Sequence, residues 1–265
     1  MPTAKVDGID IHYEEYGSGE PLFLVTGMGG VGAYWAPQID AFAQRFRVIV
    51  HDQRGTGRST HSEVDYTVDL LANDLLGLMD SLKIDHAHIV GHSTGGMMAQ
   101  ILAIRHPSRV RTLVLYGSRG RADPFTERAM GMRRDLVLQA GVAAFIHSTP
   151  IFLYPSWWIK SNHAHLEAAE AQAIARSASP KILASRIDAV LHHHQIENLH
   201  RIAVPTLVTC ARDDFLTPPY YSEELAALIP NAQLAFVERG GHACSQTNPE
   251  EFNQLVLSFV SRGSA

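Results

Sequence analysis

The 265-residue chain is predicted to fold as an α/β domain with a mostly parallel sheet, covered by helices on both faces and interrupted by an inserted helical segment. Three observations predict this class. Short, continuously apolar runs recur along the chain, as is typical of strands buried on both faces. Helical patterns alternate with these runs, which favours parallel strands joined by helices. One long stretch without any strand signal divides the series.

Six apolar, β-branched runs bounded by Gly, Pro or Asp predict the buried strands. Their continuous hydrophobicity indicates burial on both faces, because a strand with one solvated face alternates in polarity. The runs are Leu22–Thr26, Arg47–Asp52, Ala87–His92, Arg111–Gly117, Thr206–Ala211 and Gln233–Glu238.

The start of the chain is expected to add an antiparallel pair at the edge of the sheet. Val6 and the segment Ile9–Tyr16 flank an Asp7-Gly8 pair, which strongly favours a tight hairpin turn. Further along, apolar residues recur at helical spacing from Val68 to Leu82 and from Phe252 to Phe259. These stripes predict amphipathic helices that cover the sheet.

A helical cap is predicted between residues 119 and 200. The strand signal disappears there, and a helical stretch with aromatic residues takes its place. We therefore divide the chain into an α/β core at residues 1–118 and 201–265 and a cap at residues 119–200. No internal repeat or long linker indicates a second independent domain. The prolines that interrupt the cap are Pro150, Pro155 and Pro180.

Composition excludes several classes of partner. The net charge is -5 and the Lys and Arg residues are scattered, so no basic face predicts nucleic-acid binding. No run of 18 apolar residues predicts a membrane span. The first residues lack a signal-peptide pattern, and two cysteines are too few for a disulfide framework. We expect a cytoplasmic protein with reduced thiols, and the sequence leaves its oligomeric state open.

The segment Gly91-His92-Ser93-Thr94-Gly95 carries the clearest chemical signal. It follows a predicted strand and opens a predicted helix, the context in which G-x-S-x-G forms a nucleophile elbow. Its glycines leave room for a sharp turn that exposes the Ser93 hydroxyl above the sheet. The alternative, a serine in an ordinary glycine-rich turn, does not require this context. The pattern therefore predicts Ser93 as a nucleophile.

A serine nucleophile needs a histidine base and a carboxylate that orients the base. In the chain order of this architecture the acid follows a later strand and the histidine comes last. Of fifteen histidines, only His242 directly follows the final predicted strand and precedes the last helix. The acid is expected just after Thr206–Ala211, where both Asp213 and Asp214 are within reach.

Acyl transfer also needs two donors for the developing oxyanion. The backbone NH of Thr94, directly after the nucleophile, is predicted as one donor. Met28 is predicted as the other, because the loop Gly27-Met28-Gly29-Gly30 follows the strand that begins at Leu22. A phosphate-binding loop is the alternative for these glycines, but the segment lacks the dinucleotide and Walker patterns.

Other conspicuous residues receive plainer interpretations. His192-His193-His194 could indicate a metal site, but adjacent histidines rarely converge on one ion, and we predict no metal and no cofactor. Cys244 lies two residues after His242 and is interpreted as a packing residue. Arg54 is expected to shape a loop beside the pocket, with a bidentate contact to a substrate carboxylate as an alternative.

The order of Ser93, Asp214 and His242, together with the loop Asp52–Ser59, resembles the capped bacterial α/β hydrolases typified by 3-oxoadipate enol-lactonase. The resemblance extends over the full chain. Hydrolases of this kind usually carry the acid four residues before a proline, and this favours Asp214 over Asp213, since residue 218 is a proline. Many relatives have His-Gly before the oxyanion loop, whereas this chain has Thr26-Gly27.

Two less generic regions resemble the aminoacrylate (carbamate) hydrolases of pyrimidine degradation. They are Ile151–Trp158 in the cap, and the C-terminal segments Gly240–Cys244 and Asn248–Asn253. The resemblance implies a serine hydrolase that acts on a small carboxylic acid derivative. Gly27 and four cap aromatics are candidates for the pocket wall, with packing inside the cap as the alternative for the aromatics: Phe152, Tyr154, Trp157 and Trp158.

Two alternatives to this hydrolytic function remain open at this point. A perhydrolase, a cofactorless oxygenase or a carbon–carbon bond hydrolase can keep the same three residues. A small-molecule receptor can keep the fold with little turnover, and burst kinetics with an activated ester would distinguish it from an enzyme. The acyl group and the leaving group do not follow from the sequence.

Overall fold

The computed structural model describes residues 2–264, whose strands form one eight-stranded sheet in the order β1-β2-β4-β3-β5-β6-β7-β8. Pairing is parallel from β4 to β8 along this order, and antiparallel for β1 with β2 and β2 with β4. The strands are β1 Thr3–Val6, β2 Ile9–Tyr16, β3 Glu20–Val25, β4 Phe46–His51, β5 Ala87–His92, β6 Val110–Tyr116, β7 Thr206–Ala211 and β8 Gln233–Val237.

The predicted α/β class with a mostly parallel sheet is confirmed, and the predicted strand bounds differ from the observed bounds by at most two residues. The edge hairpin is also present: Val6 pairs with Ile9 across a turn in which Asp7 has φ +43° and Gly8 has φ +81°. Positive φ at both central residues defines the turn type whose twist matches that of paired strands.

Helices cover both faces of the sheet, so each face has its own apolar cluster. α2 and α3 pack in the cluster that contains Phe23 and Ile89, whereas α1 and α11 pack in the cluster that contains Leu24 and Val90. Successive strand residues point to opposite faces, which explains the continuous hydrophobicity of these strands. The core helices are α1 Ala36–Phe42, α2 Val68–Ser81, α3 Thr94–Arg105, α9 Pro219–Leu228, α10 Cys244–Thr247 and α11 Pro249–Val260.

Five further helices lie in the interval between β6 and β7. The two ends of this insertion meet, because Arg121 forms an isolated antiparallel bridge with His194 and Gln195 N donates to Gly120 O at 2.8 Å. The division of the chain into core and cap at residues 119 and 200 stays a prediction. The helices are α4 Pro124–Gln139, α5 Gly141–Leu153, α6 Ser156–Ser161, α7 His163–Ala175 and α8 Pro180–His192.

Candidate active site

Ser93 stands at the sharp turn between β5 and α3. Its backbone has φ +53° and ψ -116°, a conformation that is rare for a residue with a side chain and that is found mainly where function requires it. Glycines permit the turn: a Cβ on Gly91 would lie 2.5 Å from Gly95 O, and a Cβ on Gly95 would overlap the Val25 carbonyl. The strand, turn and helix expected around Ser93 are therefore present.

Asp214 and His242 are joined at the carboxyl end of the sheet. Asp214 lies three residues beyond β7, and His242 lies in the loop after β8. His242 Nδ1 is 2.9 Å from Asp214 Oδ2, and both side chains are buried. Neighbouring parallel strands bring their following loops to the same edge, which explains how residues 28 positions apart meet.

Asp213 has a different role from its neighbour. Its Oδ1 accepts hydrogen bonds from Gly240 N at 2.7 Å and from Gly241 N at 2.8 Å. These bonds fix the backbone of the loop that carries His242. Of the two aspartates that the sequence allowed, only Asp214 has a hydrogen bond to the imidazole among the described residues.

Thr217 completes the surroundings of the Asp214 carboxylate. Its hydroxyl donates to Asp214 Oδ2 at 2.7 Å and lies 3.0 Å from His242 Nδ1, while its NH donates to Asp214 Oδ1 at 2.8 Å. Leu216 N donates to the same Oδ1 at 2.9 Å. Donors to both oxygens hold the carboxylate in a single orientation.

Two buried aromatic residues form hydrogen bonds to the backbone of His242. His92 Nε2 lies 3.0 Å from the His242 carbonyl oxygen, and Tyr116 OH donates to the same oxygen at 2.8 Å. Burial lowers the pKa of His92 well below its usual value, so the ring is neutral and donates through Nε2. Ser93 N donates to Tyr116 O at 2.8 Å. The turn that carries Ser93 is thereby connected to the loop that carries His242.

Ser93 and His242 lie at the same edge of the sheet without a direct hydrogen bond. Within residues 2–264 the Ser93 hydroxyl has no hydrogen-bond partner, and it is only half buried. A Cβ on Gly27 would lie 3.0 Å from Ser93 Cβ, and one on Gly117 would lie 3.2 Å from His242 Cε1. Catalytic hydrogen bonds are often long before substrate binds, so this geometry is compatible with a serine and its base.

The backbone NH groups of Met28 and Thr94 are without hydrogen-bond partners in the described part of the chain. Thr94 is the first residue of α3, where helix geometry leaves NH groups unpaired. Met28 lies in a turn closed by Gly30 N, which donates to Gly27 O at 3.0 Å. Both NH groups are therefore unpaired, as donors to an oxyanion must be before a substrate binds.

A buried arginine from the cap holds the loop that contains Met28. Arg186 of α8 donates to Met28 O at 3.0 Å, and it also donates to Gln53 Oε1 and Arg54 O, at 2.6 and 2.7 Å. Gln53 Nε2 in turn donates to Thr26 O at 2.6 Å. The cap and the glycine-rich loop are therefore linked by a polar network with no exposed member.

The four candidate pocket aromatics are placed differently. Phe152 is buried, and its ring centroid lies 6.3 Å from that of Phe215, the neighbour of Asp214. Tyr154 and Trp158 stack on each other at 4.4 Å. Trp157 is 43% exposed. Phe152 thus lies beside the residue that follows Asp214, whereas Trp157 lies at the surface.

The remaining conspicuous residues have structural partners. Arg54 donates through Nε and Nη2 to the two carboxylate oxygens of Asp74, with Nε at 2.8 Å from Oδ2. The alternative, a bidentate contact to a substrate carboxylate, is therefore not supported. Burial raises the pKa of the Cys244 thiol, which disfavours the thiolate that a cysteine nucleophile requires. Among the described side chains, no group of three His, Cys, Asp or Glu residues could hold a metal ion.

Comparison with known proteins identifies the family. A profile of the α/β hydrolase fold matches residues 20–145. The chain is 40% identical to RutD of Caulobacter sp. (strain K31) over the full length of both chains, and 39% identical to RutD of Azorhizobium caulinodans over 98% of each. Both relatives are provisionally named carbamate hydrolases. The chain belongs to the RutD family of α/β hydrolases.

A solved structure of this hydrolase fold is also closely similar. The enol-lactonase from Burkholderia xenovorans LB400 superimposes with a TM-score of 0.91 at 26% identity, covering 98% of this chain and 100% of the other. The chain is therefore a hydrolase of the α/β fold, as the resemblance implied. No helix within residues 2–264 combines the length and the apolar character that crossing a membrane requires.

Thr217, Tyr116 and Arg186 hold parts of the site and were not predicted from the sequence. Thr217 could have been found, because a threonine three residues after an aspartate can close a side-chain turn on it. Arg186 has no comparable signal. It lies in the cap, far along the chain from Met28, and only packing of α8 against the core brings the two together.

Proposed function

We propose that the protein is a serine hydrolase in which Ser93 attacks an acyl carbon, His242 transfers the proton and Asp214 orients His242. The observation that carries this proposal is the buried His242–Asp214 hydrogen bond beside a serine in a nucleophile elbow. A histidine so oriented presents its Nε2 as a base, which is what a serine hydroxyl needs for activation.

The proposed reaction proceeds through an acyl-enzyme. Ser93 Oγ bonds to the carbonyl carbon while His242 Nε2 takes the hydroxyl proton. The NH groups of Met28 and Thr94 stabilise the negative charge on the carbonyl oxygen. His242 then donates its proton to the leaving group, and a water molecule activated by the same imidazole releases the acid. Ser93 is regenerated at the end of the cycle.

The proposed substrate is a small carboxylic acid derivative: an ester, an enol lactone or an aminoacrylate- or carbamate-like compound of a degradation pathway. The names of the relatives support this class, since they include carbamate hydrolases and an enol-lactonase. The aromatic residues of α5 and the following loop support a small acyl group, because a closed apolar roof excludes long chains.

A substrate panel combined with active-site labelling tests the proposal. Hydrolysis of p-nitrophenyl esters, enol lactones, carbamates and amides is measured for the wild type and for Ser93→Ala. We expect activity on at least one short-chain class and loss of that activity in the variant. A fluorophosphonate probe should add one label at Ser93, since such probes react with activated serines.

Ser118→Ala is the matched control for labelling. Ser118 also lies at the carboxyl edge of the sheet, where its hydroxyl donates to Ser93 O at 2.9 Å. The Ser118→Ala variant should take one label at Ser93, like the wild type. Labelling at another residue, or full turnover by the labelled protein, would contradict the assignment of Ser93. A panel without any hydrolysis would favour a receptor.

A further inference from the structure

Arg133 of α4 is a buried cation for which the described residues provide no counterion. Its side chain is 2% exposed, and it forms no ion pair with an acidic residue within the described chain. One donor is used, because Nη2 donates to Thr149 Oγ1 at 3.0 Å, but Nε and Nη1 have no partner. Burial of an unpaired charge with unpaired donors is costly, so such an arrangement calls for an explanation.

The surroundings of the guanidinium are aromatic. Its Cζ lies 4.8 Å from the ring centroid of Phe145 and 4.6 Å from that of Phe152. These rings and Thr149 occupy one face of α5, at positions i, i+4 and i+7. Ring faces attract a cation, yet they cannot accept the in-plane hydrogen bonds that Nε and an Nη group offer. Burial lowers the pKa of Arg133 to about 10, so the side chain stays charged at neutral pH.

Arg133 lies on the buried face of α4, and the contacts of its guanidinium come from α5. Met130 and Val137, one helical turn on either side, are buried in the apolar cluster that also includes sheet residues. The face of α4 that bears Arg133 therefore points inward.

The same region is tied to the loops of the proposed triad. Phe152, which contacts the guanidinium, also lies near Phe215, the residue after Asp214. Leu153 O accepts a hydrogen bond from Ala243 N at 3.0 Å, next to His242. Thus the end of α5 contacts both loops, and one aromatic ring separates Arg133 from the loop that carries the acid.

The other buried arginines are accounted for. Arg54 is paired with Asp74, and Arg186 donates to three oxygens. Arg119 also has unpartnered donors, but the negative charges of Asp123 and Asp214 act on it. Arg186 also has one donor without a partner, its Nε, but the negative charge of Asp74 acts on it, so Arg133 is the one of these four without an acidic neighbour.

We propose that Arg133 binds a free carboxylate of the substrate. The proposal rests on the proposed function and narrows its substrate class to small acids that bear an anionic carboxylate in addition to the acyl group that is cleaved. An arginine side edge offers two parallel NH donors, which match the two oxygens of a carboxylate. The carboxylate supplies the missing acceptors and the missing counterion together.

Mono- and dimethyl succinate test this proposal, because they differ in one charge while presenting the same ester. We expect the wild type to have the higher kcat/KM for the monoester. Arg133→Met should lose about ten- to a hundredfold on the monoester, mainly through KM, the range for a hydrogen bond to a charged group. Its activity on the diester should stay within about threefold, and Arg133→Lys should recover part of the loss.

Arg134→Met is the matched control. Arg134 is the next residue of the same helix, but it is 39% exposed and pairs with Asp188 outside the cap interior. The preference for the monoester should be unchanged in this variant. Equal losses on both esters in Arg133→Met, or no preference in the wild type, would overturn the proposal.

Binding of succinate, measured by calorimetry, provides a second readout that needs no turnover. The wild type and Arg134→Met should bind succinate, and Arg133→Met should bind it at least tenfold more weakly while unfolding at a similar temperature. Equal affinity in all three proteins would overturn the role of Arg133. If no ester is hydrolysed but succinate binding depends on Arg133, the proposed hydrolysis fails and the carboxylate site stands.

Discussion

Exchange of Asp214 for asparagine perturbs the proposed triad with almost no change of shape. In the wild type, Oδ1 accepts the NH groups of Leu216 and Thr217, while Oδ2 accepts from Thr217 Oγ1 and faces His242 Nδ1 at 2.9 Å. An asparagine has one oxygen. That oxygen should keep the two backbone NH groups, because the amide NH₂ cannot accept from them.

The amide NH₂ then faces His242 Nδ1. An NH₂ group donates, so Nδ1 must accept, and the imidazole is held in the tautomer that carries its proton on Nε2. In that tautomer Nε2 cannot take a proton from Ser93. The corresponding exchange in another serine triad lowers kcat by about 10⁴-fold, which equals about 5 kcal/mol of transition-state stabilisation. We expect a loss of that order here.

The assay measures kcat for a short p-nitrophenyl ester and the unfolding temperature of each variant. Asp213→Asn is the control, because an asparagine oxygen can still accept from Gly240 N and Gly241 N, the two groups that Asp213 holds. Its kcat should remain within about threefold of the wild type, because both hydrogen bonds are kept and only their strength changes when the acceptor becomes neutral.

Two results would refute this reasoning. If Asp214→Asn keeps a tenth or more of the wild-type kcat, the carboxylate does not orient the base. If Asp213→Asn shows the larger loss while both variants unfold like the wild type, the orienting role belongs to Asp213, and the hydrogen bond between His242 and Asp214 is structural.

Three further predictions concern the oxyanion loop, the cap and pH. Arg186→Met should lower kcat by up to about 100-fold, less than the ~10²–10³-fold loss of an oxyanion donor itself, because Arg186 acts only through the Met28 loop. A kcat within twofold of the wild type would show that Arg186 does not hold this loop for catalysis. Phe152→Ala should raise the kcat/KM ratio of octanoate to butanoate esters and Trp157→Ala should not, because the first side chain is buried and the second is 43% exposed; equal ratios would remove Phe152 from the pocket wall. Burial lowers the pKa of His51 from 6.5 to about 4, so the unfolded chain binds a proton at this residue more readily than the folded protein does. The stability that depends on neutral His51 is therefore fully present above pH 6.5 and is lost as the pH falls toward 4. Urea unfolding should therefore show the wild type losing about 2 kcal/mol more than His51→Gln between pH 7 and pH 5, and parallel losses would exclude His51 as the cause.

The sequence by itself determined the sheet and the position of the elbow. Continuous apolar strands have a local signature, since burial on both faces removes polar alternation. The turn at Asp7-Gly8 and the sharp turn at Ser93 also depend on adjacent residues, because the backbone angles there require glycine at or next to the turn. Chain order then indicated His242, since it alone follows the last strand.

Tertiary structure decided what adjacent aspartates do. Asp213 and Asp214 are equivalent by composition and by distance from β7, so residue types alone left both open, and only a resemblance favoured Asp214. Their side chains point in different directions from the turn, one toward the NH groups of the His242 loop and the other toward the imidazole. That direction depends on backbone angles that no residue pattern specifies.

The roles of the buried arginines were likewise decided by the tertiary structure. Arg54 was a candidate for carboxylate binding by its position near the pocket, but packing of α2 brings Asp74 against it. Arg133 and Arg186 lie in helical segments whose sequence gives no sign of buried charge. Which arginine finds an acid, which finds carbonyl oxygens and which finds neither depends on contacts between the cap and the core, and those contacts join residues far apart in the chain.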